Sequence, residues 1–408
     1  MKLFLALSSL AAASALHPVL IIPGTGGNRM EAKLDKPDDY SSVHFYCSKK
    51  ADWYDLWLDA KQLVPGAVDC WAENIKQIYD AETDTFSNNV GVETRVPCFG
   101  DVCGIEYLDT SIKFGGSAYF HDMIEAFAAK GYVRGDTIVS APYDFRLAAK
   151  RAQEYIANTV ALVESLYEKD QQKVLLVSHS MGGLWSHYLL ANQSAEWKAK
   201  YILAWVPLAP AYGGTANEMK LMSSGAAEGV PLANGMTVRE EQRSYESNLW
   251  LLPNPDLWGP DEVIIEGPDS SYSAHDLAPG AGFWDEIGYS DGNLIYAGLD
   301  GLFDISDVGV ETHVKYGVGK DTPEKYTFSK GKEGDWDEKY ITDTVMGDGD
   351  GTVNRRGLES GLAMGWENCD HEAFDGDDHQ SILKNEKVIN FLVDLGVGSA
   401  AGGVAEVL

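Results

Sequence analysis

After Leu16 the chain has no apolar run long enough to cross a bilayer as a helix. Basic residues are scarce: 32 Lys and Arg stand against 62 Asp and Glu, for a net charge of −30. That balance excludes nucleic acid as a partner and strong adhesion to anionic membranes, and it reads as a solvated acidic surface. Cysteine is also sparse, with five residues and neither a Cys-x-x-Cys nor a paired-histidine spacing, so neither a metal nor a cofactor is expected. No internal repeat is present, which excludes a solenoid. Disorder is excluded as well, because 45% of the residues are hydrophobic and 11% aromatic, enough for a sizeable core. A length of 408 residues suits one large domain with insertions, or two domains.

The start of the chain has one basic residue, Lys2, a short apolar core and a small-x-small site at Ala13-Ser14-Ala15. This predicts a secretory signal over residues 1–15, the competing reading being a buried N-terminal helix. The mature protein, 16–408, is then expected outside the cell or in a lysosomal or vacuolar lumen. The cysteines suit that route. Cys47 and Cys70 bracket an aromatic segment, Cys98 and Cys103 lie close together and Cys369 is left over, so two disulfides and one thiol are the economical arrangement. Asn192-Gln193-Ser194 is a glycosylation sequon.

Strands and helices alternate along the sequence. Val19 to Gly24, Asp136 to Ala141, Lys173 to Val177, Tyr201 to Leu208 and Val310 to Gly317 read as strands. Ser117 to Lys130, Gln153 to Glu168 and Ser381 to Leu395 read as helices, the first with Tyr119, Met123, Ile124 and Phe127 on its apolar face. That rhythm implies a mostly parallel sheet covered by helices. From about Thr215 to Asp304 it breaks into Gly, Pro, Asn and aromatic residues, which predicts an inserted cap or lid over 215–304.

The sharpest motif is Ser178-His179-Ser180-Met181-Gly182, between an apolar strand and the predicted helix Leu184 to Ala191. A serine on a strand-to-helix corner is the nucleophile elbow of an α/β-hydrolase, where the helix N-terminus faces the reacting carbonyl. Ser178 stands where the usual pattern has glycine, and taken alone the match is also what a chance strand-turn-helix would give. Chain order supplies the partners, because in this fold the acid and then the histidine follow the serine. The acid turn is Gly347-Asp348-Gly349-Asp350-Gly351, in which either Asp348 or Asp350 fits. The rival reading is a calcium loop with Asp348, Asp350 and Glu359 at its first, third and twelfth positions. Val353 occupies the sixth, where glycine is required. Only His371 and His379 come later, and His379, just before the final helix, is preferred as the base. Backbone amides of Met181 and of the glycine-rich turn Pro23 to Asn28, with Thr25 foremost, are the expected oxyanion donors.

These stretches, with Val68-Asp69-Cys70-Trp71, Gly131-Tyr132-Val133-Arg134, Ala141-Pro142-Tyr143-Asp144-Phe145-Arg146 and Tyr316-Gly317-Val318-Gly319, resemble the lecithin:cholesterol acyltransferase family over nearly the whole mature chain. The resemblance implies an α/β-hydrolase fold, a mostly parallel sheet with an inserted cap or lid and a disulfide-tethered membrane-docking loop. It places the nucleophile at Ser180, the acid at Asp350, the base at His379 and the oxyanion donors at Thr25 and Met181. It pairs Cys47 with Cys70 around an insertion at about 43–72, in which Trp53, Tyr54, Leu56, Trp57 and Leu58 would meet lipid. Exposed aromatic residues on a tethered loop suit an interface, the bland alternative being a buried cluster. The lid falls within Leu221 to Trp250. Cys98 and Cys103 are particular to this chain. The implied reaction moves an acyl group from a phospholipid, at a bilayer or lipoprotein surface, through an acyl-serine to a lipid alcohol (sterol, diacylglycerol or other) or to water. A carboxylesterase or lipase acting on other esters and a non-catalytic lipid-binding protein of the same fold are the alternatives.

Overall fold

The computed structural model describes residues 16–226, 235–329 and 336–398. The expected leader, 1–15, and part of the expected lid lie outside the described residues. The centre is a six-stranded sheet in the order Cys369–Asp375, Thr312–Val318, Ile202–Leu208, Val174–His179, Val19–Ile22, Ile138–Ser140. Every neighbouring pair is parallel. The inner strands are almost wholly apolar because helices cover both faces: all four residues of Val19–Ile22 and all six of Val174–His179 are buried. Such a sheet puts the ends of its strands, and the loops that follow them, on one edge. This is the α/β-hydrolase architecture that the alternation of elements implied. No helix among the described residues is long and apolar enough to cross a membrane.

Two helices depart from expectation. The segment expected as one helix from Ser117 begins as helix only at His121 and ends at Ala128, so Tyr119 lies in the bend before it. The closing helix is split into a 3₁₀ turn, Ser381–Lys384, and a helix, Glu386–Val397. The Asn385 side chain accepts the amides of Lys387 and Val388 and restarts the helix there.

The expected cap lies between the strands Ile202–Leu208 and Thr312–Val318 and carries the helices Ala216–Ser224, Gly235–Arg243, Glu246–Trp250 and Ser290–Gly298. Its irregular backbone is tied by indoles. Trp250, Trp258 and Trp284 donate to the carbonyls of Leu302, Gly213 and Leu277 at 3.0, 2.9 and 2.8 Å. These bonds satisfy groups that no ladder uses. Sequence reading missed a second excursion: after Val318 the chain leaves the sheet as an antiparallel hairpin, Lys320–Phe328 with Ile341–Gly349. The hairpin pairs with the cap strand Ile265–Glu266 and returns at Asp350, beside its own start.

Cys47 is bonded to Cys70 and Cys98 to Cys103, and Cys369 is free. The chain between Cys47 and Cys70 is not a free loop. Lys50–Trp57 is a strand paired with Met30–Asp35, and Val68–Ile75 is a helix. A paired strand sends alternate side chains to opposite faces, so its aromatic residues cannot form one exposed cluster. Leu56 is fully buried, and Trp53, Tyr54, Trp57 and Leu58 are half-buried. The Arg95 guanidinium lies 4.1 Å from the Trp53 ring, Asn74 donates to the Tyr54 hydroxyl at 3.3 Å and Trp57 Nε1 donates to the Gly26 carbonyl at 2.7 Å. Of the five side chains expected to meet lipid, Leu56 is thus enclosed, and the other four do not make one exposed cluster. The exposed apolar side chains of this unit are Val43, Phe45, Tyr46 and Val64, and Phe45 is 100% exposed.

Candidate active site

The elbow strand ends at His179 and the helix Met181–Ala191 starts one residue after the corner, so the whole turn falls on Ser180. Ser180 sits at φ 55°, ψ −127°, a backbone that an L-residue adopts only under constraint. The constraint is close packing: a Cβ on Gly182 would lie 2.4 Å from the carbonyl oxygens of both Ile22 and Pro23. Ser178, in the usual glycine position, uses its hydroxyl to accept the Trp205 indole N–H at 3.0 Å.

Three loops of the same sheet edge meet at this corner. His379, on the loop after the last strand, places Nε2 2.9 Å from Ser180 Oγ. Its Nδ1 lies 2.7 Å from Asp350 Oδ2. Of the two candidate acids it is thus Asp350 that meets the histidine. Asp350 is fully buried, and its other oxygen accepts the amides of Thr352 and Val353 at 3.0 and 2.7 Å. Asp348 points elsewhere, accepting the Gly319 amide at 2.8 Å and the Arg355 guanidinium at 3.0 Å. Burial acts to raise its pKa, and those two donors outweigh it, leaving Asp348 below the ordinary value. Glu359, third carboxylate of the calcium template, accepts from Arg355 and Tyr316. His371 lies in the edge strand Cys369–Asp375, away from the serine.

The first amide of a helix has no intrahelical acceptor, which leaves the Met181 N–H facing the corner. The glycine turn closes with Gly27 N–H donating to Gly24 O at 3.0 Å, and Gly24 N–H is taken by the Tyr119 hydroxyl at 3.1 Å. Thr25 supplies the next amide of that turn. Thr25, Ser180 and His379 line one cleft of about 480 Å³. Thr25, Glu218 and Ala226 also border a second cavity of about 170 Å³, walled by Trp57, Trp71, Phe145, Leu221 and Val238. An apolar compartment thus adjoins a polar reaction centre. Trp57, expected at a lipid surface, walls this compartment and holds the Gly24–Gly27 turn through the Gly26 carbonyl.

Sequence reasoning set His179 aside because it precedes the serine, and it read Tyr119 as one residue of a helix face. Both are buried at the site, with Tyr119 Oη 2.5 Å from His179 Nδ1 and His179 Nε2 2.8 Å from the His379 carbonyl. The available signal was position: His179 directly precedes Ser180 on a fully buried strand.

The lecithin:cholesterol acyltransferase family model matches residues 53–291. The lysosomal phospholipase A and acyltransferase of Bos taurus is 36% identical over 388 residues, covering 93% of this chain and 91% of that one. The Homo sapiens protein of that name is 36% identical over 383 residues, 92% of this chain and 89% of its own. The phosphatidylcholine-sterol acyltransferase of Gallus gallus is 35% identical over 353 residues, 86% of this chain and 82% of its own. Among solved structures, a chain in the crystal structure of the Tle4–Tli4 complex aligns with a TM-score of 0.59 at 15% identity, covering 96% of this chain and 100% of that one. This last likeness is one of fold alone.

Proposed function

The chain belongs to the lecithin:cholesterol acyltransferase family, and on that premise we propose that it is a serine phospholipase A and acyltransferase working at a lipid surface. The observation that carries the reading is the continuous hydrogen-bonded chain Ser180–His379–Asp350 in a cleft that shares Thr25, Glu218 and Ala226 with a largely apolar cavity.

His379 Nε2 takes the Ser180 proton as Oγ attacks an acyl ester of a phospholipid. Asp350, held by two amides, keeps Nδ1 protonated and stabilises the imidazolium that forms. The Met181 and Thr25 amides receive the developing oxyanion, a contribution of about 3 kcal/mol per donor. Collapse breaks the ester, His379 returns the proton to the leaving lysophospholipid oxygen, and the acyl group remains on Ser180. An acceptor hydroxyl then gives its proton to His379 as its oxygen attacks the acyl carbon, and His379 passes that proton to Ser180 Oγ as the acyl-serine bond breaks, which restores the resting serine. Water yields a free fatty acid, and a lipid alcohol yields a new ester.

Placement of this reaction at a neutral lipid surface is supported by Phe45 and by Val43, Tyr46 and Val64 around it, since a net charge of −30 disfavours anionic bilayers. Residence in a secreted, lysosomal or vacuolar compartment is supported by two disulfides and by the predicted leader.

The test is acyl transfer from labelled phosphatidylcholine vesicles in water with an added lipophilic alcohol. Wild type should form both fatty acid and acylated alcohol, the ester gaining at the expense of the acid as alcohol rises. Ser180→Ala should lose both products by at least about 10³-fold while keeping its fold. Turnover retained by Ser180→Ala would defeat the mechanism.

A further inference from the structure

We propose that His179 and Tyr119 form a directional relay that positions both the base His379 and the oxyanion turn, which makes them positioning residues of the acyl-transfer reaction. The inference rests on the roles given above to Ser180 and His379.

The direction of each hydrogen bond follows from what each group is able to do. His179 Nε2 faces the main-chain carbonyl of His379 at 2.8 Å, and a carbonyl only accepts, so Nε2 carries the proton. Burial holds the His179 ring neutral. A neutral ring protonated on Nε2 has a bare Nδ1, so Nδ1 accepts from the Tyr119 hydroxyl at 2.5 Å. The same hydroxyl oxygen accepts the Gly24 amide at 3.1 Å. The relay therefore runs from Gly24 N–H to Tyr119 O–H to His179 Nδ1, and from His179 Nε2–H to the His379 carbonyl.

Its two ends are functional. Gly24 heads the turn that offers the Thr25 amide, and His379 is the base. The His379 N–H donates to the Asp350 carbonyl at 2.9 Å, so the base is pinned through its backbone on both sides, by Asp350 and by His179. Ser180 follows His179 directly in the chain, so one buried residue registers nucleophile against base. The turn is shaped around the phenol: a Cβ on Gly27 would lie 2.7 Å from Tyr119 Cε1, and one on Gly24 would lie 3.2 Å from Tyr119 Oη and 2.8 Å from Ser180 Cβ. The relay is neutral throughout and so does not compete with Asp350 for the imidazolium.

The experiment measures kcat and KM for a soluble ester, p-nitrophenyl butyrate, in wild type, His179→Gln, His179→Asn and Tyr119→Phe, with melting temperatures alongside. Gln carries an amide N–H in the place of Nε2, while Asn is too short to reach the His379 carbonyl. His179→Asn and Tyr119→Phe should lose about 10- to 100-fold in kcat, as misplacement of a catalytic group by about 1 Å does, with KM changed less than about twofold. His179→Gln should recover most of the kcat at a melting temperature matching that of His179→Asn. Combining His179→Asn with Tyr119→Phe should cost no more than the worse single change, because both break one relay. Equal kcat for the Gln and Asn variants, losses confined to KM, or losses that multiply in the double variant would overturn the proposal. Should the His179 variants fail to fold, Tyr119→Phe, which deletes a single oxygen, decides it by the same split between kcat and KM. An inactive wild type would defeat the acyl-transfer reading itself, whereas an active wild type with indifferent variants would defeat the relay alone.

Discussion

Ser180 leaves the middle of a six-stranded parallel sheet, whereas Trp57 ends a strand of a three-stranded antiparallel sheet tied by Cys47–Cys70. Ser180 lines the cleft and Trp57 the adjoining cavity, and Thr25 borders both. On the Ser180 side Tyr119, His179, Ser180, Asp350 and His379 are all buried, and position comes from the sheet: strand ends deliver the loops, and hydrogen bonds between the loops lock them. On the Trp57 side the strand Lys50–Trp57 is mostly half-buried, and position comes from a covalent clip, from the buried Lys36–Glu73 pair at 3.0 Å and from the indole on Gly26. The comparison teaches that Ser180, Asp350 and His379 are placed by the main core, while the wall of the adjoining cavity at Trp57 and Trp71 is placed by a smaller, disulfide-tied unit.

Removing the clip gives the largest expected effect. The Cys47–Cys70 loop has a sequence separation of 23, and the double serine variant should lose about 3 kcal/mol in guanidinium unfolding. The Cys98–Cys103 loop, with a separation of 5, should cost about 2 kcal/mol by the same relation. Equal costs would mean that the tethered unit holds itself together.

Acid should press on the Ser180 side next. The His179 pKa is held well below the ordinary 6.5, chiefly by burial. Below about pH 6.5 the unfolded chain takes a proton there that the folded protein refuses, so stability falls as pH falls, by up to about 1.4 kcal/mol per unit, until the folded value is reached. The melting temperature of wild type should therefore drop more steeply between pH 6.5 and 5 than that of His179→Gln. Parallel curves would remove His179 from the acid response.

Trp57→Ala should lower kcat about tenfold on soluble ester and vesicles alike, because the indole supports the oxyanion turn. A loss confined to vesicles would return Trp57 to the lipid surface. The smallest effect is the most selective. Phe45→Ser with Tyr46→Ser should leave the soluble ester untouched and stability within about 0.5 kcal/mol, while slowing vesicle turnover several-fold. Equal slowing on both substrates would show that these side chains serve the cleft rather than the interface.

Chain order alone was enough to bring Ser180, a late acid turn and His379 into one line of reasoning, since the fold leaves few places for an acid and a base after the elbow. It left Asp348 and Asp350 open because both sit on the same glycine-rich turn. The choice was carried by the resemblance, and the tertiary structure aims Asp348 at Arg355 and Asp350 at His379. The hairpin 320–349 was illegible because its two halves alternate weakly and one edge is exposed, giving neither period much contrast. That the side chains from Trp53 to Trp57 do not share one exposed face was hidden for a related reason. Trp53, Tyr54, Leu56 and Trp57 are neighbours in sequence, and pairing with Met30–Asp35 divides them between two faces.

By itself the sequence determined the parallel sheet, the elbow and the order of its partners, because periodicity, turn glycines and chain order are local properties that need no partner to be read. Only the tertiary structure decided which aromatic residues face solvent and which groups His179 and Tyr119 touch, because each depends on a contact or a face set by residues far away in the chain.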